Sequence, residues 1–139
     1  MPADLAALDA TAQADLVRRG AASPRELIDA AITRLERLNP QLNAVVHTQL
    51  DQARAQAMAP LPDGPFRGVP FLMKDIGGPE AGQPNHAGMQ VLKAAGFREA
   101  TDGYFTAKIR AAGLVILGRT NTPELALLPT TEPSAYGPT

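Results

Sequence analysis

The sequence predicts an α/β fold, in which helices alternate with short buried strands. Two apolar runs, Val69 to Lys74 and Val115 to Leu117, have the continuous apolar character of strands buried on both faces of a sheet. Segments with helix start and stop signals lie before, between and after these runs. Strands that alternate with helices imply a parallel sheet whose two faces are covered by helices.

The clearest helix start is Ser23-Pro24-Arg25-Glu26. The serine can cap the helix, the proline suits the first helical position, and Glu26 completes a capping box. The apolar residues that follow share one face at helical spacing; they are Leu27, Ile28, Ala31, Ile32, Leu35 and Leu38. We expect Asn39-Pro40 to stop this helix, because the residue before a proline disfavours helical dihedral angles.

Local signals assign the remaining elements in chain order. Gly20 is expected to end a first helix, and β-branched Val45 and Val46 mark a short strand. The expected elements are a helix at 11–19, a strand at 43–48, a helix at 49–58, a loop at 77–88, helices at 89–95 and 102–112, a helix starting at Thr122, and a loop at 128–139.

Composition excludes several functional classes. The chain has 139 residues, of which 45% are hydrophobic and 19% charged, and it has no apolar run of the roughly 18 residues that a membrane helix needs. Its first residues lack the basic and apolar blocks of a secretory signal, so a cytoplasmic location is expected, without membrane association. The absence of cysteine and the wide separation of His47 and His86 disfavour a metal site. A net charge of -1 and 4% aromatic residues disfavour nucleic acid as a partner.

Lys74 is the candidate catalytic residue. It ends an apolar run, so it is expected at the carboxyl end of a strand, where open α/β sheets build their sites. Its apolar neighbours Phe71, Leu72 and Met73 can desolvate the amine, which favours the neutral form and lets a lysine act as a base. The same pattern also fits a lysine that only marks the strand's exit into solvent, and the pattern alone leaves both readings open.

Two segments in particular resemble the amidase-signature hydrolases: GVPFLMKD at 68–75 and VILGRTNTPE at 115–124. The helical segment SPRELIDAAITRLERLNPQLNAVV before them and TTEPSAYGPT after them are also similar to this family, in the family's order. Within it, HAGM at 86–89 and PTTEPSAYGPT most resemble the amidases of the 6-aminohexanoate cyclic-dimer hydrolase type. The resemblance covers nearly the whole chain and implies helices around a mixed, mostly parallel sheet.

The resemblance also implies a mechanism. Amidase-signature enzymes use a Ser-cis-Ser-Lys triad, in which the lysine, matched here by Lys74, deprotonates a bridging serine that activates the nucleophilic serine. A serine hydroxyl is a weak nucleophile unless an adjacent base takes its proton. Attack on an amide carbonyl would give an acyl-enzyme that water then releases, with backbone amides stabilising the oxyanion. The chemistry requires no cofactor, and the implied partner is a small-molecule amide substrate.

The chain departs from the family pattern because it contains only one triad member. The family's two serines and its oxyanion loop come from a stretch expected after Thr139, so we expect the isolated chain to be inactive. Its own serines have structural explanations, Ser23 as a helix cap and Ser134 as a polar residue in a proline-flanked loop. Ser134 also lacks the tight glycine-flanked turn that exposes a catalytic serine.

Other polar residues are interpreted as structural. His86 is expected to be a solvated loop histidine, and Asp75 an anchor on the strand face opposite to Lys74. We interpret the polar residues after the second strand as support for the backbone, with Thr122 capping the helix expected there; they are Arg119, Asn121 and Glu124. Lys93 and Lys108 lie on predicted helices with polar neighbours and are expected to be solvated.

We therefore interpret residues 1–139 as the N-terminal portion of a single amidase domain, with a helical lead-in at about 1–42 and the start of the α/β core at about 43–139. The rest of the domain, or a complementing chain, would be its partner, and a homo-oligomer is possible. Two alternatives stay open. One is a non-catalytic fragment of a truncated or split gene that pairs its sheet edge with a partner. The other is the amidase subunit of a tRNA-dependent amidotransferase.

Overall fold

The computed structural model describes residues 5–139, which form two compact units. The first contains residues 5–37, 49–71 and 108–117, and the second contains residues 38–48, 72–107 and 118–139. The elements are α1 (Ala10–Arg18), α2 (Pro24–Leu42), β1 (Val45–Thr48), α3 (Leu50–Met58), β2 (Pro70–Lys74), α4 (Gln90–Ala94), α5 (Tyr104–Ala111) and β3 (Val115–Thr120).

The capping box at the start of α2 is confirmed. One Glu26 carboxylate oxygen accepts hydrogen bonds from the Ser23 backbone N–H at 2.7 Å and from its hydroxyl at 2.8 Å. The Glu26 N–H donates in return to the Ser23 hydroxyl at 3.2 Å. These bonds from Ser23 lower the pKa of Glu26. The helix buries the first part of the predicted apolar face, through Leu27, Ile28 and Ile32, whereas Leu38 at the end of that face is exposed.

The predicted stop at Asn39-Pro40 is wrong, because α2 continues through Pro40 to Leu42. Proline removes only one backbone donor, and here that donor belongs to the last turn. The turn is closed by a 2.8 Å hydrogen bond from the Asn43 N–H to the Asn39 carbonyl. The helix then ends at Asn43, whose φ of 47° is left-handed.

The α/β prediction is confirmed, and the sheet is mixed. Its strand order is β1-β3-β2, and β1 pairs antiparallel with β3, from Val45 opposite Thr120 to Thr48 opposite Gly118. Strands β2 and β3 run in the same direction: Val115 donates to the Val69 carbonyl at 2.9 Å, and Asp75 donates to the Thr120 carbonyl at 3.0 Å. Position 118 requires glycine, because a Cβ atom added there would lie 2.1 Å from the His47 carbonyl oxygen.

The second apolar run is longer as a strand than predicted, and the helix expected after it is absent. Strand β3 extends beyond the predicted run to Thr120. Gly118 and Arg119 are buried like the residues before them, although neither has an apolar aliphatic side chain. Thr122 caps no α-helix; a single 3-10 turn follows at Glu124–Ala126. Leu125 and Ala126 have φ values of 51° and 57°, which an α-helix cannot contain.

None of the helices found between residues 5 and 139 is long and apolar enough to cross a membrane.

Candidate active site

Lys74 lies at the end of β2, and its side chain is exposed. The strand's alternation turns Met73 inward, with 1% of its surface exposed, and turns Lys74 outward. Within residues 5–139 the apolar neighbours of Lys74 therefore do not bury it, and its desolvation stays a prediction. No hydrogen bond or ion pair engages its ammonium within residues 5–139.

The backbone at Lys74 is fixed although its side chain is not. The carbonyl of Lys74 accepts a 2.9 Å hydrogen bond from Nη1 of Arg119. The next N–H, that of Asp75, donates to the Thr120 carbonyl at 3.0 Å. Both polar groups of the peptide unit between Lys74 and Asp75 are thus held by residues of β3.

Asp75 anchors the loop at 86–88, as the sequence predicted. Its carboxylate, in a residue 1% exposed, accepts hydrogen bonds from the N–H groups of His86 at 2.9 Å and Gly88 at 3.1 Å. The Asp75 carbonyl accepts a third bond from Ala87 at 2.7 Å. Gly88 has a φ of 70°, and an added Cβ would lie 2.7 Å from the Thr122 carbonyl oxygen. Asp75, which follows Lys74, therefore binds a loop in which position 88 has room only for glycine.

Arg119 is fully buried beside this backbone. Besides the Lys74 carbonyl, its guanidinium donates to the Gly78 carbonyl from Nη2 at 2.5 Å and lies 3.9 Å from a carboxylate oxygen of Glu80. Burial lowers the pKa of Arg119, and the negative charges of Glu80, Asp75 and Glu99 oppose that shift. The interpretation of Arg119 as structural support is confirmed by these contacts. What the sequence did not indicate was that the contacts reach Lys74.

The interpretation of His86 as a solvated histidine is wrong. His86 is buried, with Nδ1 at 2.5 Å from the Tyr136 hydroxyl and Nε2 at 3.1 Å from the Phe97 carbonyl oxygen. Because a carbonyl only accepts, Nε2 carries a proton, and in the neutral imidazole Nδ1 then accepts from the Tyr136 hydroxyl. Pro, Gly and polar neighbours suggested a solvated loop, whereas the ring contacts that the structure shows are with Tyr136 and the Phe97 carbonyl.

Lys93 is exposed, as predicted, but it is not merely solvated. Its ammonium donates to the Ala135 carbonyl and lies 4.3 Å from the centre of the Tyr136 ring. The interaction of a cation with an aromatic ring adds to the hydrogen bond in holding the segment that contains Tyr136.

Tyr136 provides a pH-dependent prediction. Burial, with Asp75 as a second cause, raises the pKa of Tyr136 from 10.0 to about 12. A pKa that is raised in the folded state makes a contribution to stability that is complete below pH 10 and lost as the pH rises from 10 towards 12. We expect the difference in unfolding free energy between wild type and Tyr136→Phe to fall over this range in urea titrations. A difference that stays constant through alkaline pH would contradict the assignment.

The other polar residues singled out from the sequence are engaged in structural bonds. Asn121 donates to the Gly137 carbonyl at 3.0 Å and to the Thr139 hydroxyl at 2.8 Å. Ser134 donates to a Glu124 carboxylate oxygen at 2.6 Å. Ser23 is bound in its capping box, so both serine hydroxyls are engaged with carboxylates. Over residues 5–139, no group of three or more His, Cys, Asp or Glu side chains could hold a metal ion.

Comparisons with known proteins place this chain in a family. The amidase family profile matches residues 26–139. The chain belongs to the amidase-signature family. It is 45% identical over 131 residues to 6-aminohexanoate-cyclic-dimer hydrolase of Paenarthrobacter ureafaciens, an alignment that covers 94% of this chain and 26% of that protein. It is 39% identical over 143 residues to a glutamyl-tRNA(Gln) amidotransferase subunit of Salinispora arenicola, over 98% of this chain and 28% of that protein.

Solved structures of amidase-signature proteins have the same fold. The structure of 6-aminohexanoate cyclic dimer hydrolase complexed with substrate matches with a TM-score of 0.91 and 44% identity, over 99% of this chain and 28% of that chain. A bacterial aryl acylamidase of the amidase-signature family matches with a TM-score of 0.84 and 32% identity, over 95% of this chain and 29% of that chain. The chain thus spans between a quarter and a third of the length of these relatives. The family and the α/β fold inferred from the sequence are confirmed.

Proposed function

We propose that the protein to which this chain contributes hydrolyses amides, and that Lys74 is its general base. The observation that carries the proposal is an exposed ammonium, without a hydrogen bond or ion pair within residues 5–139, at the carboxyl end of β2, whose backbone is held at that point. Membership of the amidase-signature family supports it. Residues 1–139 act as the N-terminal portion of one amidase domain, with a helical lead-in at about 1–42 and the core from about 43.

In this mechanism neutral Lys74 takes the proton of a bridging serine, which takes the proton of the nucleophilic serine. The nucleophilic oxygen attacks the amide carbonyl, and the proton held by Lys74 returns through the bridging serine to the amide nitrogen as the C–N bond breaks, so that the amine leaves and an acyl-enzyme forms. Water then attacks the acyl-enzyme and gives up a proton along the same route, which releases the carboxylic acid and restores the nucleophilic serine. We expect both serines to lie outside the 139 residues of this chain, because Ser23 and Ser134 are engaged elsewhere and neither is hydrogen-bonded to Lys74 within residues 5–139. These 139 residues alone are therefore expected not to hydrolyse amides.

The substrate class is a small amide, and the cyclic dimer of 6-aminohexanoate is the first compound to test. The identity to its hydrolase, 45%, exceeds the 39% to the amidotransferase protein, which favours a stand-alone hydrolase over an ammonia-transferring enzyme. A non-catalytic fragment is the third candidate. A cytoplasmic location and a homo-oligomeric state stay predictions.

The experiment uses the full protein, purified and incubated with the cyclic dimer and with simple aryl amides, without ATP, tRNA or a partner protein. We expect release of free amine, unchanged in Ser23→Ala and Ser134→Ala, because neither serine is the nucleophile. Turnover that needs ATP and a partner protein would favour the amidotransferase. Absence of turnover under every condition would favour the non-catalytic fragment.

A further inference from the structure

The guanidinium of Arg119 bridges the two ends of the bend that follows Lys74. Nη1 donates to the Lys74 carbonyl at 2.9 Å, and Nη2 donates to the Gly78 carbonyl at 2.5 Å. A guanidinium is a planar fork whose donors have fixed directions, so two carbonyls bound to it are fixed relative to each other. The bend at residues 75–77 is thereby closed by one side chain of β3.

This arrangement fixes the peptide unit between Lys74 and Asp75. The carbonyl of Lys74 and the N–H of Asp75 belong to the same peptide unit, and β3 holds the first through the Arg119 side chain and the second through the Thr120 carbonyl. A peptide unit bonded on both sides cannot rotate without breaking a hydrogen bond. The direction in which Lys74 leaves the strand is therefore set by Arg119 together with the β2–β3 ladder.

Filling the space at position 119 does not require a charged side chain. The side chain is 0% exposed, and burying a cation is unfavourable unless it is paired and hydrogen-bonded. Glu80 is the nearest acid, and Nε of Arg119 has no hydrogen-bond partner within the described part of the chain. An apolar residue of similar volume would avoid this desolvation, but it could not bind the two carbonyls.

We propose that Arg119 is a positioning residue for Lys74: its two hydrogen bonds to the bend hold the Lys74 peptide so that the exposed amine meets the serine it deprotonates. The inference rests on the proposed function. Proton transfer requires the base within hydrogen-bond reach of the serine oxygen, and a displacement of about 1 Å can lower a rate about 10²-fold. Arg119 is fully buried within residues 5–139, so it acts through the Lys74 peptide and not on the substrate.

The test measures kcat and KM of Arg119→Lys and Arg119→Met in the full protein. Turnover is expressed per active site, with sites counted by a fluorophosphonate that labels the nucleophilic serine. We expect Arg119→Met to lower kcat per labelled site about 10²-fold, since neither carbonyl is then held, with KM nearly unchanged. Arg119→Lys keeps the charge but loses the fork, so we expect an intermediate loss of kcat. If the methionine variant does not fold, the lysine variant decides.

Two control variants separate positioning from stability. Arg98 also donates to a loop carbonyl, that of Gly82 at 2.8 Å, but far along the loop from Lys74 in sequence, so Arg98→Met should keep kcat. Thr106 is fully buried and donates to the Pro79 carbonyl at 2.6 Å, so Thr106→Val should lower the melting temperature without lowering kcat per labelled site.

Two results would overturn the inference. One is an unchanged kcat per labelled site in Arg119→Lys; the other is a loss in Thr106→Val as large as in the arginine variants. The proposed function fails separately, if Lys74→Met retains wild-type turnover. An inactive Lys74 variant together with fully active Arg119 variants would refute the positioning role alone.

Discussion

Lys74→Met is expected to lower kcat for amide hydrolysis by about 10²- to 10⁴-fold in the full protein, the usual contribution of a positioned general base. Methionine preserves the length and apolar stem of lysine but cannot accept a proton. The Lys74 side chain makes no hydrogen bond within residues 5–139 and is exposed, so its replacement should leave the fold intact. Steady-state kinetics with a serine-directed label to count active sites measure the effect.

Two further lysine variants identify the cause of that loss. Lys74→Arg keeps a positive charge but cannot give up its proton in the working pH range, so we expect it to be nearly as inactive as the methionine variant. Lys108→Met changes another exposed lysine, on α5, and should retain wild-type turnover. Full activity in Lys74→Arg would show that Lys74 supplies charge and not basicity.

Asp75→Ala is expected to destabilise the protein by about 3 kcal/mol, because hydrogen bonds to a buried charged group contribute roughly 1.5–3 kcal/mol each. The substitution leaves the N–H groups of His86 and Gly88 without their acceptor in a buried site. It also removes one of the negative charges near the buried Arg119. Urea unfolding of the full protein should show a lower midpoint, and activity should fall with the loss of the 86–88 loop.

Asp63→Ala is the matched control, since Asp63 is exposed in the loop before β2 and its carboxylate makes no hydrogen bond or ion pair within residues 5–139. Its unfolding free energy should stay within about 0.5 kcal/mol of wild type, as for most surface substitutions. If Asp75→Ala were as mild as the control, the anchoring role of this carboxylate would be refuted. Asp75→Asn should lie between the two, because its amide keeps one acceptor oxygen but adds a donor that faces backbone N–H groups.

Most elements of the fold could be predicted because their signals are local. The capping box at Ser23 and Glu26, the glycine after α1 and the apolar run before Lys74 each act within a few residues of the chain. The errors occur where no local motif decides. Pro40 is tolerated because it lies in the last turn of α2, and the turn after Thr122 follows left-handed dihedral angles that no sequence motif announces.

The candidate site divides in the same way. Lys74 could be found from its place at the end of an apolar run and from the family resemblance, and Asp75 from strand alternation. The burial of His86 could not, because it depends on Tyr136, 50 residues away. Arg119 had one overlooked signal: an arginine only two residues after the apolar run Val115–Leu117 is unusual, and a buried arginine needs partners.

The most direct test of Lys74 as the base is chemical rescue of Lys74→Ala in the full protein with small amines. If a neutral amine at this position takes the serine proton, methylamine should restore turnover, and the restored rate should rise with pH as the free amine increases. Tetramethylammonium, a permanent cation without basicity, should restore nothing. Equal rescue by both compounds, or wild-type turnover in Lys74→Ala without any amine, would contradict the assignment of Lys74 as the general base.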